Sequence, residues 1–138
     1  RMEMEVVLGF KSDEEFYTVN STQNRVEIDM YGPEKKQAQS PMELLLSGLI
    51  ACAAVDIASM IKKRRKVLND LSGKASGQRR AQAPRSFTDV HIHYEINSPD
   101  LTDQEAEKII SLAVDKYCSV ASSISSDIHL SHGFEIKR

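Results

Sequence analysis

The sequence lacks the features that mark several common classes of protein. Only two of its 138 residues are cysteine, too few for a small protein held together by disulfides. The formal net charge of -2 gives no long-range attraction to nucleic acid. No basic start followed by an apolar segment and a small-residue cleavage site is visible. We therefore expect a cytoplasmic protein that does not bind nucleic acid.

No apolar run approaches the roughly 20 residues of a membrane-spanning helix. The longest extends from Leu44 to Val55 and is interrupted by Ser47, Gly48 and Cys52. This run predicts a helix in the core of a protein that makes no membrane contact. Hydrophobic residues make up 41% of the chain and charged residues 28%, an ordinary globular composition. A chain of this length predicts a single domain, residues 1–138.

Three sets of short strands are predicted from residues that alternate between apolar and polar. The first set lies at about residues 3–30, where turn-like segments separate three such stretches and favour an antiparallel meander. The second set lies at about residues 70–97, with Phe87, Val90, Ile92, Tyr94 and Ile96 as its apolar positions. A final strand is predicted at about residues 128–137.

Two helical regions are marked by their first residues. Ser40 is a good N-cap, Pro41 suits the first helical position, and Glu43 stands where a capping box needs an acidic residue. This central helix is predicted over about residues 41–66, so that the basic cluster 62–66 complements the negative end of its dipole. Thr102 and Glu105 form a second capping box, which opens helices over about residues 103–125.

The order of these elements is strands, long helix, strands, helix pair and strand. This order predicts an α+β fold, because it does not alternate strand and helix regularly. The central helix is apolar on nearly every side and needs more cover than a few short strands provide. A homodimer would supply that cover.

The two cysteines lie in different helical settings. Cys52 is in the middle of the central helix, where the helix dipole gives a thiolate little help. Cys118 is near a predicted helix N-terminus, where free N–H groups favour a thiolate. Two thiols far apart in sequence can meet in space and cycle between dithiol and disulfide. Alternatively, both are small apolar residues of the core, as free cysteine often is.

The segment Ser40-Pro-Met-Glu-Leu-Leu-Leu-Ser-Gly-Leu-Ile-Ala-Cys-Ala-Ala-Val-Asp-Ile, followed 66 residues later by Cys118-Ser-Val-Ala, resembles the OsmC/Ohr family. These are the osmotically induced protein C and organic hydroperoxide resistance proteins. Within the family, the Ser-Pro-Met-Glu-Leu-Leu-Leu opening is most similar to the OsmC-like branch. The resemblance covers nearly the whole chain. It implies antiparallel sheets wrapped around a long, central, cysteine-bearing helix in an intertwined homodimer.

The resemblance also implies a function, a thiol-dependent peroxidase that reduces hydroperoxides, especially organic ones, in oxidative-stress defence. Cys52 would be the peroxidatic residue and Cys118 the resolving residue. An external dithiol, a dihydrolipoyl group in some relatives, would reduce the resulting disulfide. No metal or bound cofactor is implied.

Peroxidases of the family also hold the thiolate with a glutamate and an arginine. The glutamate directly follows the helix-opening proline, whereas here Met42 follows Pro41 and Glu43 comes one place later. Since one residue turns a helical side chain by about 100°, Glu43 is a candidate for this role and equally for the cap of Ser40. Arg25 is the candidate arginine, because it lies in the N-terminal strand region.

Two other functions are compatible with the sequence. A non-catalytic OsmC-like protein would use the same fold to bind a small hydrophobic ligand or a partner at the dimer interface. A metal site would draw on His91, His93, His129 and His132, but the sequence has no Cys-x-x-Cys or His-Glu-x-x-His element. We therefore expect no metal.

Overall fold

The computed structural model describes residues 2–138 of the chain. It has two compact units, residues 2–45 and 46–138, and the long helix α1, Pro41–Lys63, begins in the first and continues in the second. An α+β fold with two small sheets confirms the predicted fold class. The single domain stays a prediction.

The first unit is built on an antiparallel meander, as predicted. Its strands pair in the order β1-β2-β3, with bounds Val6–Ser12, Glu15–Asn20 and Arg25–Asp29. A register shift between Phe10 and Ser12 lets β1 include Lys11 and Ser12. The bulge is what lets the strand continue past its regular alternation.

One buried carboxylate organises the loop between β3 and α1. Asp29 is 3% exposed and accepts hydrogen bonds from Lys36 Nζ and from the backbone N–H groups of Gln37 and Ala38, all at 2.8 Å. These bonds, that of Lys36 foremost, lower the pKa of Asp29 to about 2. The carboxylate therefore stays charged at neutral pH and fixes the chain on its way into α1.

The two ends of α1 are set by local hydrogen bonds. At the start, Glu43 N donates to Ser40 Oγ at 3.2 Å and Ser40 N donates to the Glu43 carboxylate at 2.9 Å, which confirms the capping box. At the other end, Arg65 has a φ of 60° and Lys66 N donates to the Ile61 carbonyl at 3.2 Å. This is a Schellman-type ending. The prediction that the helix runs to about residue 66 is therefore wrong by one turn.

Within one chain, α1 buries a single stripe. The buried residues recur every fourth position, at Leu49, Ala53, Ile57 and Ile61. On another face Val55 is 70% exposed. By length and composition alone α1 could cross a membrane, but the core helices of soluble proteins pass the same test. Of the 18 most apolar consecutive residues of α1, 22% are buried within the chain. The outward apolar surface is thus more than a lone chain covers.

The second unit contains a mixed three-stranded sheet in the order β4-β5-β6, with bounds Asp70–Arg79, Phe87–Asn97 and His129–Lys137. Strands β4 and β5 are antiparallel, but β5 and β6 are parallel. The prediction of purely antiparallel sheets is wrong for β6. The helices between β5 and β6 return the chain to the end of the sheet at which β5 began, which a parallel pair requires.

The core of this unit combines β5 with the helices that follow it. All five predicted apolar positions of β5 are buried, and so are Ala106, Ile109 and Ile110 of α2, Asp103–Leu112. The Thr102–Glu105 capping box is present, which confirms that prediction. A π-helical turn, Ala113–Tyr117, then leads through Cys118 to the short helix α3, Ser119–Ser123.

Candidate functional site

Cys118 is held at the junction of two helical segments. It ends the π-helical turn and is the N-cap residue of α3, where Ala121 N donates to its Sγ at 3.3 Å. Its Sγ also lies 4.0 Å from the Leu49 carbonyl of α1. With only 2% of its surface exposed, Cys118 is a core residue of the second unit. Irregular π-helical turns often occur next to functional residues.

The structure brings Cys52 and Cys118 together. Both are free thiols, Cys118 buried and Cys52 partly exposed. Burial is the main cause that raises the pKa of Cys118, the Ala121 N–H opposes it, and the neighbouring Cys52 thiol raises it further. This influence of the Cys52 thiol on Cys118 indicates that the two side chains are neighbours. Two neighbouring thiols, one buried and one partly exposed, can form a disulfide.

Tyr94 of β5 lies beside this pair, although the sequence indicated only a core position for it. Its hydroxyl donates to the Ile50 carbonyl of α1 at 2.7 Å, and 1% of its surface is exposed. Burial raises the pKa of Tyr94, and the proximity of Cys118 and Cys52 raises it further. Alternation along a strand predicts which face of the sheet a side chain lies on, but it does not predict a hydrogen-bond partner on a helix that is distant in sequence.

An open pocket is lined by residues that are close in sequence to the two cysteines. It measures about 460 Å³ and is lined by Asp56, Ser59 and Met60, Lys63, Leu112 and Tyr117. Asp56 is one turn after Cys52, and Tyr117 directly precedes Cys118. No ion pair links Asp56 to Lys63 among residues 2–138. Both charges are therefore free to face the pocket.

The two other predicted site residues belong to the first unit and have partners there. Glu43 accepts the Ser40 N–H of the capping box, and its carboxylate is 3.8 Å from Lys36 Nζ. These contacts, the Ser40 N–H foremost, lower the pKa of Glu43. Arg25 lies over the Tyr17 ring at 3.7 Å and forms a salt bridge with Glu27. Their predicted catalytic roles stay predictions.

Three of the histidines each contact a polar side chain of another element. His91 is 2.7 Å from Ser131 Oγ, His93 is 3.2 Å from Glu135, and His132 is 3.3 Å from Asp115. Within residues 2–138, no three His, Cys, Asp or Glu side chains are grouped as a metal ion would require.

An α+β fold that places two free thiols near each other belongs to the class of proteins capable of thiol chemistry. Sequence comparison identifies the family. The sequence model of the OsmC-like proteins matches residues 32–133. The chain belongs to this family, which confirms the resemblance found in its motifs.

Known relatives resemble the chain over most of its length. Protein YhfA of Escherichia coli K12 is 34% identical over 110 residues, which cover 80% of this chain and 82% of YhfA. The OsmC-like protein of Mycoplasma pneumoniae superposes with a TM-score of 0.87 at 19% identity, with 99% of both chains covered. An organic hydroperoxide resistance protein OsmC of Legionella pneumophila gives 0.73 at 17% identity, covering 98% of this chain and 99% of that one. These two structures show the shared fold.

Proposed function

We propose that the protein is a cytoplasmic thiol peroxidase that reduces organic hydroperoxides in oxidative-stress defence. The observation that carries the proposal is that Cys52 and Cys118, two thiols from distant parts of the sequence, are neighbours in the fold. Membership of the OsmC-like family supports it, as does the fold shared with the hydroperoxide resistance protein of Legionella pneumophila.

The exposures of the two thiols support one order of events. Cys52 is partly exposed and can meet a peroxide, whereas Cys118 is buried. The raised pKa of Cys118 suits a thiol that waits in its protonated form. We therefore assign Cys52 the peroxidatic role and Cys118 the resolving role.

The reaction proceeds in three steps. The Cys52 thiolate attacks the peroxide, so that an S–O bond forms, the O–O bond breaks, and the alkoxide leaves as an alcohol after taking a proton. Cys118 sulfur then attacks the Cys52 sulfenic acid, which forms the disulfide and releases water. Finally, an external dithiol such as a dihydrolipoyl group reduces the disulfide by two thiol exchanges and is itself oxidised.

A homodimer is part of this proposal. The apolar side chains that remain exposed on one chain offer a surface for a second copy. They lie on β1 and on the outer face of α1, and include Val6, Val7, Leu8, Phe10 and Val55.

The competing function is non-catalytic binding of a small hydrophobic ligand or a partner. One observation favours it: Glu43 and Arg25 are both engaged by neighbours in the first unit, Glu43 in a cap and Arg25 with Glu27. A peroxidase needs a carboxylate and a cation free to orient the peroxide.

Steady-state turnover separates the two functions. Purified protein is given cumene hydroperoxide with dihydrolipoamide or dithiothreitol as reductant. We expect turnover that Cys52→Ser abolishes. Cys118→Ser should stop recycling and spare the first oxidation. A wild-type rate no higher than that of a free thiol would support the binding protein.

A further inference from the structure

Two consecutive carbonyls of α1 accept contacts from outside the helix. Leu49 O is approached by Cys118 Sγ at 4.0 Å, and Ile50 O accepts the Tyr94 hydroxyl hydrogen at 2.7 Å. Helical carbonyls normally bond only to the N–H four residues later. Both contacts fall on the turn that immediately precedes Cys52, and thus on the segment that sets where its sulfur lies.

Tyr94 is firmly held in this position. Its ring is fully buried, and it lies against Gly73 of β4. A Cβ at Gly73 would lie 3.1 Å from the Tyr94 ring, 3.3 Å from Ile50 and 2.6 Å from the His93 carbonyl. The missing side chain at Gly73 is therefore what allows Tyr94 and Ile50 to pack closely at this point. Since burial raises the pKa of Tyr94, its hydroxyl remains a donor throughout the physiological range.

The two contacts differ in what oxidation does to them. A Cys118 thiol can donate its S–H to Leu49, although sulfur is a weak donor. Once Cys118 is in a disulfide it has no hydrogen to donate, and this contact loses its attraction. The Tyr94 hydroxyl is unchanged by the reaction, so its bond to Ile50 alone continues to hold the turn. If that hydroxyl is removed, the turn in the dithiol still has the Cys118 contact, whereas the turn in the disulfide has neither. The hydroxyl therefore contributes more to the disulfide than to the dithiol.

We propose that Tyr94 is a positioning residue, whose hydroxyl holds the α1 turn before Cys52 in register with Cys118 and so favours the disulfide over the dithiol. This inference rests on the Cys52–Cys118 couple of the proposed function. The Tyr94 hydroxyl acts through the Ile50 carbonyl and does not itself exchange a proton or an electron.

The test is an equilibrium with glutathione. Oxidised glutathione and the protein dithiol give the protein disulfide and two reduced glutathiones, and the ratio defines an effective concentration for the thiol pair. We expect Tyr94→Phe, which keeps the buried ring, to lower this concentration by roughly 3- to 10-fold, the range that one hydrogen bond provides. Tyr31→Phe is the matched control, because it also removes a bonded hydroxyl, but from a pair with Ser12 and Glu15 in the first unit. It should leave the value unchanged.

A purely structural tyrosine would give a different result. Its loss would destabilise the dithiol and the disulfide equally, so that urea unfolding would shift in both states and the effective concentration would not change. That result overturns the inference and leaves the couple intact. Failure of wild-type protein to form a Cys52–Cys118 disulfide at any glutathione ratio overturns both.

Amide hydrogen exchange gives a second readout that needs no variant. The turn Leu49–Ala53 of wild-type protein should keep its protection when the dithiol is oxidised, because Tyr94 still holds Ile50. Loss of protection confined to this turn in the oxidised protein would overturn the inference even if Tyr94→Phe did not fold.

Discussion

At the scale of single residues, two equally buried groups have pKa values shifted in opposite directions. Asp29 is almost fully buried, but its carboxylate accepts from the Lys36 ammonium and from the backbone N–H groups of Tyr31, Gln37 and Ala38, so its charged form is favoured. Cys118 is equally buried, with the Ala121 and Val120 N–H groups as donors and a thiol neighbour, and its neutral form is favoured. The number of donors around a buried group decides which form the protein stabilises.

Asp29 should make stability depend on pH in acid. Its pKa is about 2 in the folded protein and about 3.9 in an unfolded chain. Its contribution is therefore complete above about pH 4 and is lost as the pH falls towards 2. We expect Asp29→Asn to lower the free energy of unfolding at pH 7 and to flatten the loss between pH 4 and 2.

Urea unfolding at a series of pH values checks this prediction. The exposed Asp127 offers a matched control, and Asp127→Asn should follow the wild type at every pH. Equal pH dependence in Asp29→Asn and the wild type would show that the loop does not depend on this carboxylate.

At the scale of elements, Glu43 at the start of α1 has two candidate roles, a helix cap and a catalytic carboxylate. Glu43 completes the capping box with Ser40, and its carboxylate is 54% exposed. A capping box works with glutamine as well as glutamate. A catalytic carboxylate must carry charge, so the two roles respond differently to the same substitution.

We expect Glu43→Gln to preserve both stability and hydroperoxide turnover to within about twofold, because the amide oxygen can still accept the Ser40 N–H. Glu43→Ala should lower stability, since the cap is lost. Urea unfolding and steady-state turnover on the same samples check this. A large drop in turnover for Glu43→Gln, with stability unchanged, would assign Glu43 to catalysis.

At the scale of the whole molecule, the exposed apolar surface requires an explanation. The outer face of α1 carries Val55 at 70% exposure, and Leu8 and Phe10 of β1 are 65% and 66% exposed. Large exposed apolar side chains that lie together usually mark an interaction surface. We propose that a second copy of the chain covers these side chains.

A charge on the outer face of α1 should prevent association. We expect wild-type protein to sediment as a dimer at micromolar concentration and Val55→Arg as a folded monomer. Val67→Arg is the control, because Val67 is 46% exposed but lies beyond the end of α1. A wild-type monomer, or a dimer unaffected by Val55→Arg, would contradict the proposed interface.

Local patterns predicted most of the fold. Both capping boxes and the buried positions of β5 followed from spacing within a few residues. The end of α1 did not, because Arg65 adopts a positive φ that usually signals glycine. The parallel direction of β6 was also missed. It depends on how the intervening helices return the chain.

The candidate site was predicted only in part, since it depends on distant contacts. Motifs identified Cys52 and Cys118, but no local pattern gives a distance between residues on separate helices. Tyr94 showed only the alternation of a core strand residue. Its bond to Ile50 joins positions 44 residues apart.

The central claim, that Cys52 and Cys118 are a peroxide-reactive couple, is tested most directly by mass spectrometry after one equivalent of cumene hydroperoxide. Reduced wild-type protein should form an intrachain Cys52–Cys118 disulfide within the mixing time. Cys118→Ser should stop at a Cys52 sulfenic acid that dimedone traps, and Cys52→Ser should remain reduced. Slow and unselective oxidation of both cysteines, at the rate of a free thiol, would contradict the account.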